Sequence, residues 1–93
     1  MFFSWDNRKN EANIKKHGIP FEAAVLVFND EKRIERFDRD HSSGSEERWN
    51  TIGMVERVVF VVFTEIEDCV RIISARKATK EEIDEYYKNY DIR

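Results

Sequence analysis

The chain has 93 residues, 38% of them charged and 41% hydrophobic, with one proline, three glycines, a net charge of −3 and a pI near 5.4. A globally basic nucleic-acid binder is excluded, though a local basic groove on an acidic body is not. The lone Cys69 excludes an internal disulfide framework and a cysteine-rich zinc site, and the longest apolar run, Val58 to Phe63, falls far short of the roughly 20 residues that span a bilayer.

A chain of this length is expected to form one core, so residues 1–93 read as a single domain. The start, Met-Phe-Phe-Ser-Trp-Asp, lacks the pattern of a secretion signal, which points to a cytoplasmic protein. Phe2 to Trp5 suits a short edge strand. Asp6 is placed to cap a first helix over Asn7 to His17, whose last turn carries Lys15, Lys16 and His17 where cations oppose the negative end of the dipole. Gly18 supplies the positive φ that ends it, and Pro20 opens a second helix with an apolar stripe of Phe21, Ala24, Val25 and Phe28.

Strand patterns follow at Lys32 to Arg39, Glu46 to Met54, Val58 to Thr64 and Val70 to Lys77. Val58 to Thr64 is apolar on both faces and reads as the central strand, while Gly53 suggests a bulge or turn. Between the first two, His41-Ser42-Ser43-Gly44-Ser45 reads as a mobile linker. Thr79-Lys80-Glu81-Glu82 is a capping box, and Ile83, Tyr86, Tyr87 and Tyr90 form the stripe of a closing helix. Helices set apart from a run of strands predict an α+β fold, with about four antiparallel strands, two N-terminal helices and one C-terminal helix.

No phosphate loop, nucleophile elbow or metalloprotease helix is present, and His17 and His41 are too few for a usual metal-ligand set. What remains is a set of cations and titratable groups: Lys16 and His17 at a helix end, Glu47 and Arg48 at one strand start, and Arg71, Arg76 and Lys77 on the last strand. Simple alternation places Arg76 with Val70, Ile72 and Ser74, and Arg71 with Ile73, Ala75 and Lys77. The ordinary reading of these arginines is a solvated or carboxylate-paired strand end. The functional reading of Arg76 is a phosphate ligand, a planar fork delivered from a rigid strand. His17 reads either as a helix C-cap or as an acid–base group. The tyrosine stripe reads as core, with one of Tyr86, Tyr87 or Tyr90 able to present a hydroxyl or a stacking face.

Trp5-Asp6, Lys16-His17-Gly18, Phe21 with Ala24, Glu47-Arg48 with Gly53 five residues on, Arg71-Ile72-Ile73-Ser74-Ala75-Arg76 and the closing helix together resemble the BrnT family of bacterial toxins, over about residues 2 to 90. The resemblance implies a RelE-like fold and a metal-independent endoribonuclease of a type II toxin–antitoxin module, without cofactors, which cuts RNA and so inhibits translation and growth. It implies a ribbon-helix-helix antitoxin, contact with operator DNA only through that antitoxin, and a toxin2–antitoxin2 heterotetramer. By position it points to His17, Glu47, Arg48 and Arg76 as catalytic, Arg76 and Arg48 holding the phosphorane with His17 or Glu47 as base. Lys16, Arg71, Lys77 and Tyr87 are the matching expectation for substrate binding, and no residue is expected to bind a metal. The rival reading, from the net negative charge, is a catalytically weak toxin-fold partner that binds its antitoxin in operon autoregulation.

Overall fold

The computed structural model describes residues 1–92. The chain runs β1 (Phe2–Ser4), α1 (Asn7–His17), α2 (Phe21–Leu26) with a 3-10 turn (Val27–Asn29), β2 (Ile34–Asp38), β3 (Arg48–Val55), β4 (Arg57–Ile66), β5 (Cys69–Lys77) and α3 (Lys80–Ile92). The class is α+β, with three α-helices. The sheet has five strands in the order β1-β5-β4-β3-β2 and is mixed rather than wholly antiparallel, because β1 pairs in parallel with β5.

The local signals act as their chemistry predicts. Asp6 caps α1 by accepting from the Arg8 amide at 2.8 Å, and Gly18 ends the helix at φ 72°. The amide of Arg8 is the chief cause that holds the Asp6 carboxyl below its usual range. In the capping box, the Thr79 amide donates to Glu82 at 2.8 Å and the Glu82 amide donates to the Thr79 hydroxyl at 3.2 Å.

Two apolar layers sandwich the sheet at one end. On the helical side Ile19, Phe21, Ala24 and Val27 pack on Val59, Val61, Phe63, Val70, Ile72 and Ala75. On the other side α3 lays Ile83 and the fully buried Tyr86 on Ile52, Val58, Phe60 and Met54. α1 and α2 are fastened by asparagines. Asn10 accepts from the Phe21 amide at 2.8 Å, and the buried Asn13 both donates to the Ala75 carbonyl at 2.8 Å and accepts from its amide at 3.1 Å. Asn13 thus takes the place of a neighbouring strand where β1 has already ended, so no backbone group on that edge of β5 is buried unpaired there.

Gly53 is neither a bulge nor a turn. It lies inside β3 opposite Val59, and an added Cβ would stand 2.7 Å from Val27 Cγ1 and 3.2 Å from Arg33 Cβ. Its role is to let the 3-10 turn approach the sheet. Gly53→Ala is therefore expected to destabilise the fold by about 1–3 kcal/mol through overpacking, as read by chemical denaturation. The irregularity is elsewhere, in β5, where Phe63 pairs with Ile72 but Val62 pairs with Ser74, leaving Ile73 as the extra residue of a bulge.

Candidate nucleic-acid interface

The bulge at Ile73 decides which arginines share a face. Uninterrupted alternation would separate Arg71 from Arg76. With the extra residue, Arg71 stands opposite Thr64, Ser74 opposite Val62 and Arg76 opposite Phe60, all on the α3 side. Val70, Ile72 and Ala75 turn to the helical side, and Lys77, opposite Val59, follows them.

α3 covers only part of the face it packs on. Beyond it the register gives two polar rows across the strands. The first is Arg36–Asn50–Val62–Ser74, and the second is Asp38–Arg48–Thr64–Arg71–Ser4. Four arginines from β2, β3 and β5 therefore point to one side of an otherwise acidic chain.

Their partners divide them into two kinds. Arg76 is saturated: it forms two hydrogen bonds with Glu82 at 2.8 and 3.0 Å, donates to the Lys77 carbonyl, and lies 3.9 Å over the Phe60 ring. Glu82 is in turn held as a carboxylate: burial alone would raise its pKa, but the Arg76 bonds and the Thr79 amide outweigh that and lower it. Arg36 is engaged with Glu85 at 3.0 and 3.1 Å and with Asn50 at 3.3 Å. Arg48 pairs with one carboxylate, Glu46 at 3.5 Å, and its buried Nε makes no hydrogen bond. Among the described residues no ion pair engages Arg71, which is exposed. Arg48 and Arg71 flank Thr64 two strands apart, about 10 Å between Cα atoms by strand spacing. Thr64 itself is buried and donates to the Glu47 carbonyl at 2.7 Å, which fixes the entry to β3.

The residues singled out in the sequence therefore do not all meet. Arg48, Arg71 and Arg76 share a face, with Glu47 exposed beside Arg48. His17 is half-buried at the end of α1, two residues before Ile19 enters the core on the helical side; Lys16 precedes it, exposed. Tyr87 is exposed on α3, its ring edge-on to Tyr86. The Tyr86 hydroxyl is committed to Asp30 at 2.6 Å.

Other polar residues took their places only on folding. Residues 41–45 do not form a loose linker: the Ser42 hydroxyl donates to the Asp38 carbonyl at 2.6 Å and accepts from the Arg48 amide at 2.8 Å. The loop is thereby tied to both strands, and His41 Nδ1 sits 2.9 Å from an Asp38 oxygen. The usable sequence signal was Asp38 three residues before His41 at a hairpin, where a carboxylate can reach back over the turn. Among the described residues no group of three or more His, Cys, Asp or Glu side chains could hold a metal ion, and no helix is long and apolar enough to cross a membrane.

The family model for the ribonuclease toxin BrnT of type II toxin–antitoxin systems matches residues 5–82. The crystal structure of the Brucella abortus ribonuclease toxin BrnT is similar in fold, with a TM-score of 0.61 at 21% identity, over 86% of this chain and 100% of that one. Comparison with curated proteins gave no match.

Proposed function

Since this chain belongs to the BrnT family of ribonuclease toxins of type II toxin–antitoxin systems, we propose that it is a single-domain, RelE-like endoribonuclease that binds RNA on the open half of the sheet. Family membership implies a cognate antitoxin. The observation that carries the reading is the row in which Arg48 and Arg71 flank Thr64 while the other two arginines of that face are already engaged.

Cations held on rigid strands and only loosely paired, Arg48 with Glu46 and Arg71 in the field of Asp6, attract a phosphodiester and favour the extra negative charge of the phosphorane. The reaction is a metal-independent transphosphorylation: the 2′-oxygen attacks phosphorus, the bond to the 5′-oxygen breaks, and a cyclic phosphate and a 5′-hydroxyl result. In this reading Arg48 and Arg71 together hold the phosphate. Arg76, locked by Glu82 and Phe60, positions β5 against α3 and offers the substrate no free fork. His17 and Lys77, on the helical side, lie outside this site.

An antitoxin of the ribbon-helix-helix class would inhibit by covering this face with an acidic segment that competes with RNA for the same charges, two toxins bound to one antitoxin dimer. The toxin would act in the cytoplasm, where cleaved RNA halts translation, and meet operator DNA only through the antitoxin.

The test is induction without antitoxin, following growth and mapping new RNA ends. Arrest with new 5′-hydroxyl ends in the wild type is the expected result. Normal growth with intact RNA would overturn it in favour of a toxin-fold partner acting only in autoregulation.

A further inference from the structure

We propose that His41, oriented by Asp38, is the general base that takes the 2′-hydroxyl proton; the inference rests on the ribonuclease reading above and adds the titrating group that the arginine row lacks. Asp38 stands directly opposite Arg48 in the β2–β3 register, on the same face. Its carboxylate oxygens lie 2.9 and 3.1 Å from His41 Nδ1, and Oδ1 also accepts from the His41 amide at 3.3 Å.

Three features make this more than a surface contact. Asp38 is largely covered, its side chain 19% exposed, while that of His41 is 69% exposed, so one end of the pair is fixed and the other is open to substrate. The Ser42 hydroxyl ties the loop to the Asp38 carbonyl and the Arg48 amide, which fixes the backbone that carries His41 between the two strands. A carboxylate on Nδ1 holds the proton there and leaves Nε2 as the acceptor, the arrangement a base requires. Asp38 is one strand away from Arg48, about 5 Å between Cα atoms.

The alternatives on this side of the sheet are poorer. His17, the other histidine, belongs to the helical side. The Tyr86 hydroxyl is buried and already donates to Asp30. The charged groups around His41 are Asp38 from β2, Arg48 from β3, Glu46 from the loop, which pairs with Arg48, and the exposed neighbours Arg39 and Asp40.

In the step proposed, His41 Nε2 takes the 2′-hydroxyl proton as the oxygen's electron pair forms the bond to phosphorus. The 5′-oxygen leaves with the electron pair of the broken bond and takes a proton from water, yielding a 2′,3′-cyclic phosphate and a 5′-hydroxyl. Asp38 touches no substrate and is a positioning residue.

The experiment uses the purified full chain, a single-stranded RNA of mixed sequence and its uncleavable 2′-deoxy counterpart. His41→Gln is expected to lower kcat by about 10²–10⁴ while binding of the 2′-deoxy strand is unchanged. Asp38→Asn is expected to lower kcat with KM unchanged, and added imidazole is expected to restore part of the activity of His41→Ala. Wild-type kcat in His41→Gln, alongside loss of cleavage in Arg71→Ala, would overturn the role of His41 and leave the ribonuclease reading standing. No cleavage by the wild type would overturn both.

Discussion

Alanine at Arg48 or Arg71 is expected to reduce RNA cleavage by about 10²–10³, the usual loss when one fixed donor to a developing oxyanion is removed. The two substitutions are expected to be less than additive, because both act on one phosphate from opposite sides of Thr64. Among the described residues Arg48 pairs only with the exposed Glu46 and Arg71 has no ion pair within 4 Å, and surface pairs are worth little, so stability is expected to stay within about 1 kcal/mol of the wild type. Arg76→Ala should behave in the opposite way. It strands Glu82 without its partner and uncovers Phe60, so it is expected to loosen α3 before it affects the chemistry. Single-turnover cleavage rates alongside urea unfolding of each variant separate the two effects, and a folded Arg71→Ala protein with full activity would reject the assigned phosphate row.

The largest expected loss of stability comes from Asp30, whose carboxylate serves as a joint between elements. Its carboxylate accepts from the Tyr86 hydroxyl at 2.6 Å, the Met54 amide at 2.8 Å and the Lys32 amide at 2.9 Å, joining α3, β3 and the 3-10 turn at one point. Asp30→Ala leaves these donors without their acceptor and is expected to cost about 2–4 kcal/mol, read as a drop in the urea midpoint at constant slope. Burial pushes the Asp30 pKa up, yet the hydrogen bonds from Tyr86, Met54 and Lys32 and the charge of Arg33 prevail, so the net shift is downward. Burial and the same bond push the Tyr86 phenol well above its usual value. A carboxyl lowered on folding adds stability that is complete above its unfolded value near 3.9, and that is lost as pH falls through the lower folded value. Wild-type stability should therefore decline below about pH 4, and Asp30→Asn should show a shallower decline over that window. Glu82 and Asp6 shift in the same direction, so part of the acid dependence should remain in that variant.

Caps and stripes were readable in the sequence because each depends on residues within one turn of each other. Asp6, Gly18 and the Thr79–Glu82 box set the ends of α1 and the start of α3 through bonds that span at most four residues. The doubly apolar run at Val58 to Thr64 identified the central strand because burial on both faces needs apolar residues at every position. The family resemblance likewise rests on short segments in order, and the match over residues 5–82 supports it.

The site was less legible, and the reason lies in register. A bulge has no local signature in Arg71-Ile72-Ile73-Ser74-Ala75-Arg76. It arises because β5 must bury Ile72 beside Phe63 and also Ala75 beside Val61, an odd spacing that alternation alone forbids. The parallel pairing of β1 with β5, the clasp of Asn13 on Ala75 and the capture of Arg36 by Glu85 all join residues far apart in the chain, whereas Arg76 finds Glu82 six residues on. By itself the sequence determined the elements, their ends, the class of fold and the kinship, since these follow from local propensity and short-range pattern. Only the tertiary structure decided which cations share a face, that Glu85 of α3 engages Arg36 of β2, and that Asp38, which holds His41, lies opposite Arg48. Those facts depend on strand register and long-range partners, which no window of sequence contains.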